Sequence, residues 1–367
     1  MQRNQLSGLC LIILFFAFVT TGAAQTPTPR PSDDGDVIRV DSRLIVVPVS
    51  VTDAKGLPVA GLTGQDFRIL EEGRAVTLEG VSAADKVPLE IAILFDVSAS
   101  TDSMFRFQVD TAAKFLRGVM RAEDRASVFL ISGRPVMISP RDTAERSAAA
   151  LQTIAPTKGF TAFYDSVATA TEYLKRNAPQ ASRRVILVIS DGEDTNSDRI
   201  AKAIQDGYKK VNVNTIDSKS LYQLTVANRN SAAAAERLRV IKLLQDADTV
   251  FYSVNPAGSS YMLNKMSVFG QENMQRFADV TGGGAFLPKF RQVESKDAYQ
   301  NANNVRQNSE MLDQIFSQLA AELRAQYLIQ YYSESDFPLN KYVKLDVGLQ
   351  NRPGLRLRSR QGYYVKN

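Results

Sequence analysis

Three short stretches of this chain bring oxygen donors to places where chemistry could be done. The first is Leu94-Phe95-Asp96-Val97-Ser98-Ala99-Ser100-Thr101, which follows the apolar run Leu89–Ile93 and spaces Asp96, Ser98 and Ser100 at i, i+2 and i+4. The second is Lys158-Gly159-Phe160-Thr161, which leads into a helical pattern at Phe163. The third is Ile189-Ser190-Asp191-Gly192-Glu193-Asp194, which closes another apolar run. Two carboxylates and three hydroxyls, with no sulfur or imidazole among them, make a donor set for a hard divalent cation: Mg²⁺, or Mn²⁺ or Ca²⁺ in its place. Taken singly, each stretch also reads as ordinary local structure. Ser98 or Ser100 could cap the following helix, Thr161 could cap the next, and Asp191-Gly192 could form a turn. Their order and their shared position after strands favour the cation.

Composition removes the competing chemistries. Among 367 residues there is no histidine, and the single cysteine, Cys10, lies near the amino terminus. Serine and cysteine nucleophiles paired with histidine, and zinc or iron sites built on imidazole or thiolate, are therefore excluded. A metal-assisted hydrolase using Asp96 or Asp191 as base is the weaker alternative, because a hydroxyl-rich ligand set is poor at generating a metal hydroxide. The expectation is a protein that is not an enzyme.

Residues 1–24 have the form of a secretory signal peptide: Arg3, then the apolar Leu9–Val19, then Gly22-Ala23-Ala24. Removing it leaves 43 basic against 39 acidic residues, a net +4, too balanced to point to nucleic acid. No later apolar run approaches the roughly 20 residues of a membrane helix. Export across a bacterial inner membrane to the periplasm or the cell exterior is expected, and the sequence leaves the oligomeric state open.

The elements that must position the donors follow from hydropathy patterning. Residues 25–36 form a Pro- and Asp-rich linker, and 37–87 read as a β segment with strands near Leu44–Val51, Phe67–Leu70 and Val76–Leu78. From 88 to 308, short apolar strands (Ile91–Phe95, Ser127–Ile131, Val185–Ile189, Thr249–Val254) alternate with helical stretches. That alternation predicts an α/β domain with a doubly wound, mainly parallel sheet. Ligands of such sheets bind beyond the carboxyl ends of the strands, where Asp96 and Asp191 fall. Pro135–Ser139 suggests an edge strand. Residues 309–367 add a helix with Leu312, Phe316, Leu319 and Leu323 on one face, then three strands. The strands at both chain ends need partners, so the α/β domain is expected to be inserted in a small β-sandwich-like domain built from both ends. Between the Asp191 strand and a helix at Ala232–Gln245 lies an insertion, about 199–230, read as a loop on the donor face. It either helps select a partner or does nothing.

Asp96, Ser98, Ser100, Thr161 and Asp191, in this order, resemble the metal-ion-dependent adhesion site of the von Willebrand factor A domain. The resemblance spans about residues 88–290. The exported bacterial family related to that domain is similar over nearly the whole mature chain, including Val47–Phe67 and Leu319–Tyr332. What the resemblance implies is direct or nearly direct ligation by Ser98, Ser100 and Thr161, with Asp96 and Asp191 acting largely through water. It further implies a protein partner that presents an Asp or Glu to the cation. A structural role, in which the ion only ties loops together, stays open. Asp165 is expected to be a first-turn helix acid, Glu193 and Asp194 solvated acids, and Arg356, Arg358 and Arg360 the wet face of a strand.

Overall fold

The computed structural model describes residues 43–98, 105–157, 159–212, 215–256, 258, 265–291, 293, 297–333 and 335–366. All of them fall in one compact unit, Asp41–Asn367. The expected signal peptide and linker, and Ser100, lie outside the described residues.

The central layer is a six-stranded sheet. Its strands are β5 (Leu89–Asp96), β6 (Arg125–Ile131), β7 (Val136–Asp142), β8 (Arg183–Ile189), β9 (Thr249–Val254) and β10 (Gly284–Phe286), in spatial order β10-β9-β8-β5-β6-β7. All neighbours are parallel except β7, which runs antiparallel to β6 at the edge. Every residue of β5 is buried, as its unbroken apolar run demands. Its side chains alternate between two cores. Leu89, Ile91, Ile93 and Phe95 join one core with α1 (Phe105–Val119), α2 (Ala144–Gln152) and α7 (Ala298–Ala325). Ala92 and Leu94 join the other with α3 (Phe163–Asn177), α5 (Ser218–Asp246) and α6 (Lys265–Thr281). Each large apolar side chain so enclosed contributes about 1.5–3 kcal/mol. Of the two buried acids of the strand, Glu90 is held by Arg141 through two nitrogens at 2.6 and 2.9 Å.

The chain leaves β5 for β6 on one side and returns to β8 on the other. The crest between the carboxyl ends of β5 and β8 is therefore the switch point of the sheet.

The two chain ends meet in a pair of antiparallel sheets. Strands β1 (Arg43–Thr52) and β4 (Leu78–Ala83) flank β11 (Tyr327–Ser333), with β13 (Arg356–Ser359) on the far side of β1. The second sheet has the order β14-β12-β2-β3, from Gly362–Tyr364, Tyr342–Leu349, Phe67–Glu71 and Arg74–Ala75. Ile45, Val47, Val49, Phe67, Ile69, Ile329, Tyr331, Val343 and Leu345 fill the space between the sheets. Glu71, buried on β2, binds both ends together by accepting from Tyr331 Oη (2.8 Å), Ser333 Oγ (2.9 Å) and Tyr363 Oη (2.7 Å). The α/β layer is thus inserted in a β-sandwich-like unit made from both ends of the chain.

Two regions differ from the expectation. The helix placed after residue 308 begins at Ala298, and Leu312, Phe316, Leu319 and Leu323 pack into the α/β core. The region 199–230 is not a loop but helix α4 (Asp198–Tyr208) and the first half of α5. Asp217 starts α5 by accepting from the amides of Lys219 and Ser220. Residues 218–232 contain no fully buried residue and pack against α4, where Tyr208 Oη meets Thr225 Oγ1 at 2.8 Å, with Arg229 also reaching Met266 of α6. At 29 residues α5 is about 43 Å long, against about 20 Å for the strand β9 that follows it. All its buried residues lie from Ala233 onward. Since α5 ends where β9 begins, its first half, with α4, overhangs the carboxyl edge of the sheet.

Candidate functional site

Asp96 is the last residue of β5 and is 7% exposed. Its two carboxylate oxygens have separate duties. Oδ1 accepts from the Ser98 amide at 2.9 Å and from Ser98 Oγ at 2.6 Å, which folds the chain back over the strand end. Oδ2 accepts from Ser190 Oγ at 2.6 Å, across the gap between β5 and β8. Ser190 Oγ in turn accepts from the Gly192 amide at 3.0 Å. Thr161, 5% exposed, donates from Oγ1 to Ser98 Oγ at 2.8 Å. A continuous run of oxygens, Thr161–Ser98–Asp96–Ser190, therefore links all three stretches over the crest.

Asp191 stands beside Ser190, with Oδ1 accepting from the Glu193 amide at 3.0 Å. Burial pushes its pKa up to about 6, with the negative charges of Asp96 and Glu193 adding to the effect. Burial likewise raises the Asp96 carboxyl, against the pull of the Ser190 and Ser98 hydroxyls. Among the described residues neither carboxylate takes part in an ion pair. Nor do three carboxylates gather there into a metal-holding cluster. The site is instead a mixed set: two acids in partly dehydrated surroundings, surrounded by hydroxyls. Buried negative charge without a basic partner is costly, and a divalent cation matches both the charge and the hardness of these oxygens.

Sequence reasoning brought Asp96, Ser98 and Thr161 to one edge, and the structure joins them directly. Asp191 stands next to Ser190 in the chain and feels the negative charge of Asp96. Ser100 lies outside the described residues. Four residues were given no part in the site by the sequence. Ser190 bridges the two strands, and nothing in the sequence distinguishes it from any other hydroxyl after a strand. Thr195 and Asn196 hold Thr161 by its backbone: Thr195 Oγ1 accepts from the Thr161 amide at 2.8 Å, and both their amides donate to its carbonyl at 2.8 and 2.9 Å. Gly192, at φ +77°, crosses Gly270 of α6 so closely that a Cβ on it would lie 2.7 Å from the Gly270 carbonyl oxygen. This crossing seats the Asp191 stretch on α6, where Ser267 Oγ also donates to Glu193.

Two smaller expectations are corrected, and a third holds with an added role. Asp194 is not solvated: it is 8% exposed and accepts from the amides of Tyr164 (3.0 Å) and Ser197 (2.9 Å), tying α3 to the segment before α4. Asp165 does sit in the first turn of α3, but it also accepts from the Asp198 amide at 2.7 Å and faces Arg239. Arg358 pairs with the buried Glu322 and Arg360 with Asp248, so neither is a wet strand face.

A doubly wound α/β layer whose switch point gathers acids and hydroxyls, carried within a β unit, defines the class. Residues 91–193 match the family model of the von Willebrand factor type A domain, and the α/β layer has that fold. A search of curated proteins finds no match. Among solved structures, the chain is similar to proximal thread matrix protein 1 from the mussel byssus: 10% identity, 70% of this chain and 50% of that one, TM-score 0.42. The chain thus spans half the length of the mussel protein. A second structure of that protein, described as having a zinc-occupied MIDAS motif, is similar at 9% identity and TM-score 0.40 over the same shares. The vWF domain of the type V pili tip protein Mfa5 from Porphyromonas gingivalis is similar at 10% identity over 64% of this chain and 96% of that one, TM-score 0.36.

Proposed function

We propose that this chain is an exported, non-enzymatic module that captures an acidic side chain of a protein partner through a divalent cation. The ligands are Ser98, Ser100 and Thr161, with Asp96 and Asp191 behind them. The observation that carries this reading is the buried Asp96 carboxylate, joined to Ser98, Thr161 and Ser190 by hydroxyls over the switch point, with the half-buried Asp191 beside it and no ion pair to either acid among the described residues. When bound, a Mg²⁺-like ion supplies the countercharge these acids lack and a ligand position for an incoming carboxylate.

The chain's own residues do the rest. Asp96 fixes Ser98 by accepting from both its amide and its hydroxyl, and fixes the β8 stretch through Ser190. Thr161 is presented by a backbone held at both its N–H and its carbonyl. Keeping neutral hydroxyls foremost leaves the ion attractive to an acid; a cage of direct carboxylates would quench it. The overhanging α4–α5 hairpin forms a wall at the same edge. Residues 198–231 carry six Lys or Arg against three Asp, which suits an acidic partner.

The test uses immobilised chain and envelope protein extract, in Mg²⁺ and in chelator, comparing wild type with Thr161→Val. The side chains are nearly isosteric, so the variant keeps its fold and loses one ligand oxygen. A specific partner retained only by wild type in Mg²⁺ supports the proposal. Capture that ignores both chelator and substitution refutes it. Chelator that lowers the melting temperature while capture persists assigns the ion to tying loops together. Among the described residues no helix is long and apolar enough to cross a membrane.

A further inference from the structure

A cavity of about 570 Å³ opens at the other end of the strands, where the β unit meets the α/β layer. That volume is within the roughly 300–1,000 Å³ of small-molecule sites. One wall is the outer face of the first β sheet. Strand β1 sends Ile45, Val47 and Val49 into the sandwich core, so Leu44, Val46 and Pro48 face the other way, beside Leu328 of β11. The outer face of an antiparallel sheet is ordinarily polar; here it is mainly apolar along the cavity, with Gln330 opposite Val46 as a polar member.

The opposite wall is the amino edge of the parallel sheet, where Arg183 and Arg184 open β8. Arg43 of β1 and Arg360 and Lys366 of the carboxyl-terminal segment add further cations to the lining, against a single acid, Asp248. That acid is already engaged, by Arg360 at 2.7 Å and Lys366 at 2.6 Å. The remaining guanidiniums bond only neutral oxygens. Arg184 donates to the Ala247 carbonyl at 3.1 Å, and Arg183 to the Leu323 carbonyl at 2.7 Å. Burial lowers the Arg183 pKa, the sign of a cation short of countercharge. Asp124 acts on Arg183 electrostatically, but it is not among the lining residues and accepts from the Leu89 and Arg121 amides with its two oxygens.

An apolar wall facing unneutralised guanidiniums is complementary to one kind of molecule. We propose that this cavity binds a single-chain aliphatic carboxylate, with its chain on Leu44, Val46 and Leu328 and its head group toward Arg183 and Arg184. The site is separate from the switch-point crest and needs no metal.

Equilibrium dialysis of radiolabelled dodecanoate, below its micelle concentration, against the purified chain tests this. Saturable binding of one molecule per chain is expected, unchanged by chelator. Dodecanol and dodecyltrimethylammonium should compete at least tenfold more weakly than unlabelled dodecanoate. Arg184→Gln should weaken binding about tenfold or more, as loss of a charge-assisted hydrogen bond requires. Should that variant fold poorly, Leu44→Glu decides: Leu44 is 49% exposed, so the substitution spares the core while placing a negative charge at the wall. Absent saturable binding, equal binding of the cationic amphiphile, or wild-type affinity in folded variants each overturn the proposal. Because the readout does not involve metal, failure here and failure of the cation reading are distinguishable.

Discussion

Replacing Asp191 with Asn should stabilise the protein when no cation is supplied, although Asp191 is proposed to support cation binding. The Asp191 carboxyl titrates at about 6 in the fold against 3.8 for the unperturbed group. A difference of about two pH units corresponds to about 3 kcal/mol of penalty on the ionised form. Because the folded value lies above the unfolded one, the protonated acid favours the fold fully below about pH 4. That contribution is lost as pH rises through about 6. At pH 7.5 in chelator, wild type therefore bears the whole penalty, and Asp191→Asn, which keeps an oxygen for the Glu193 amide, bears none. Urea denaturation should show the variant more stable by about 2–3 kcal/mol at pH 7.5 and close to wild type at pH 4. Added Mg²⁺ should erase most of the difference by stabilising wild type more than the variant. A variant less stable than wild type in chelator at pH 7.5 would mean that Asp191 has a countercharge in the protein itself, and the electrostatic case for a cation would fail.

Two further substitutions separate the site from the scaffold. Gly192→Ala puts a Cβ 2.7 Å from the Gly270 carbonyl oxygen at a residue with φ +77°, so it should cost about 1–3 kcal/mol and lift the Asp191 stretch from α6. Calorimetric titration with Mn²⁺ should then show at least tenfold weaker affinity; unchanged affinity would mean that this crossing does not set the site. Glu71→Gln leaves three buried hydroxyls of β11 and β14 contending for one acceptor oxygen. It should destabilise the fold by about 2 kcal/mol in denaturation while leaving Mn²⁺ affinity untouched.

What could be read from the sequence was what depends on near neighbours. The unbroken apolar runs of β5, β8 and β9 announce strands buried on both faces, and their alternation with helices announces the parallel sheet and its crest. Asp96 at one strand end and Asp191 just beyond another follow from that. The contact of Thr161 with Ser98 joins residues 63 apart; loop placement brought both to one edge, but the hydrogen bond between them depends on the assembled sheet. The Gly192–Gly270 crossing is a meeting of two backbones, for which a lone glycine is no sign. Helix α5 escaped for a different reason. Residues 218–231 pack largely on α4 and bury no side chain fully, so they lack the 3.6-residue apolar period by which a helix is recognised. Conversely, Leu312, Phe316, Leu319 and Leu323 showed a clear stripe on α7 without revealing which core it serves. The stripe fits either layer, and the pairing with α1 is a property of the assembled sheet.

The central claim is that this crest holds one divalent cation. Electron paramagnetic resonance of Mn²⁺ titrated into wild type and Asp96→Ala measures it directly, since free Mn²⁺ gives a signal that protein-bound ion largely loses. One ion per wild-type chain, displaced by Mg²⁺, with no such uptake by a folded Asp96→Ala, is the predicted result. Equal uptake by both proteins, or none by wild type, would contradict it.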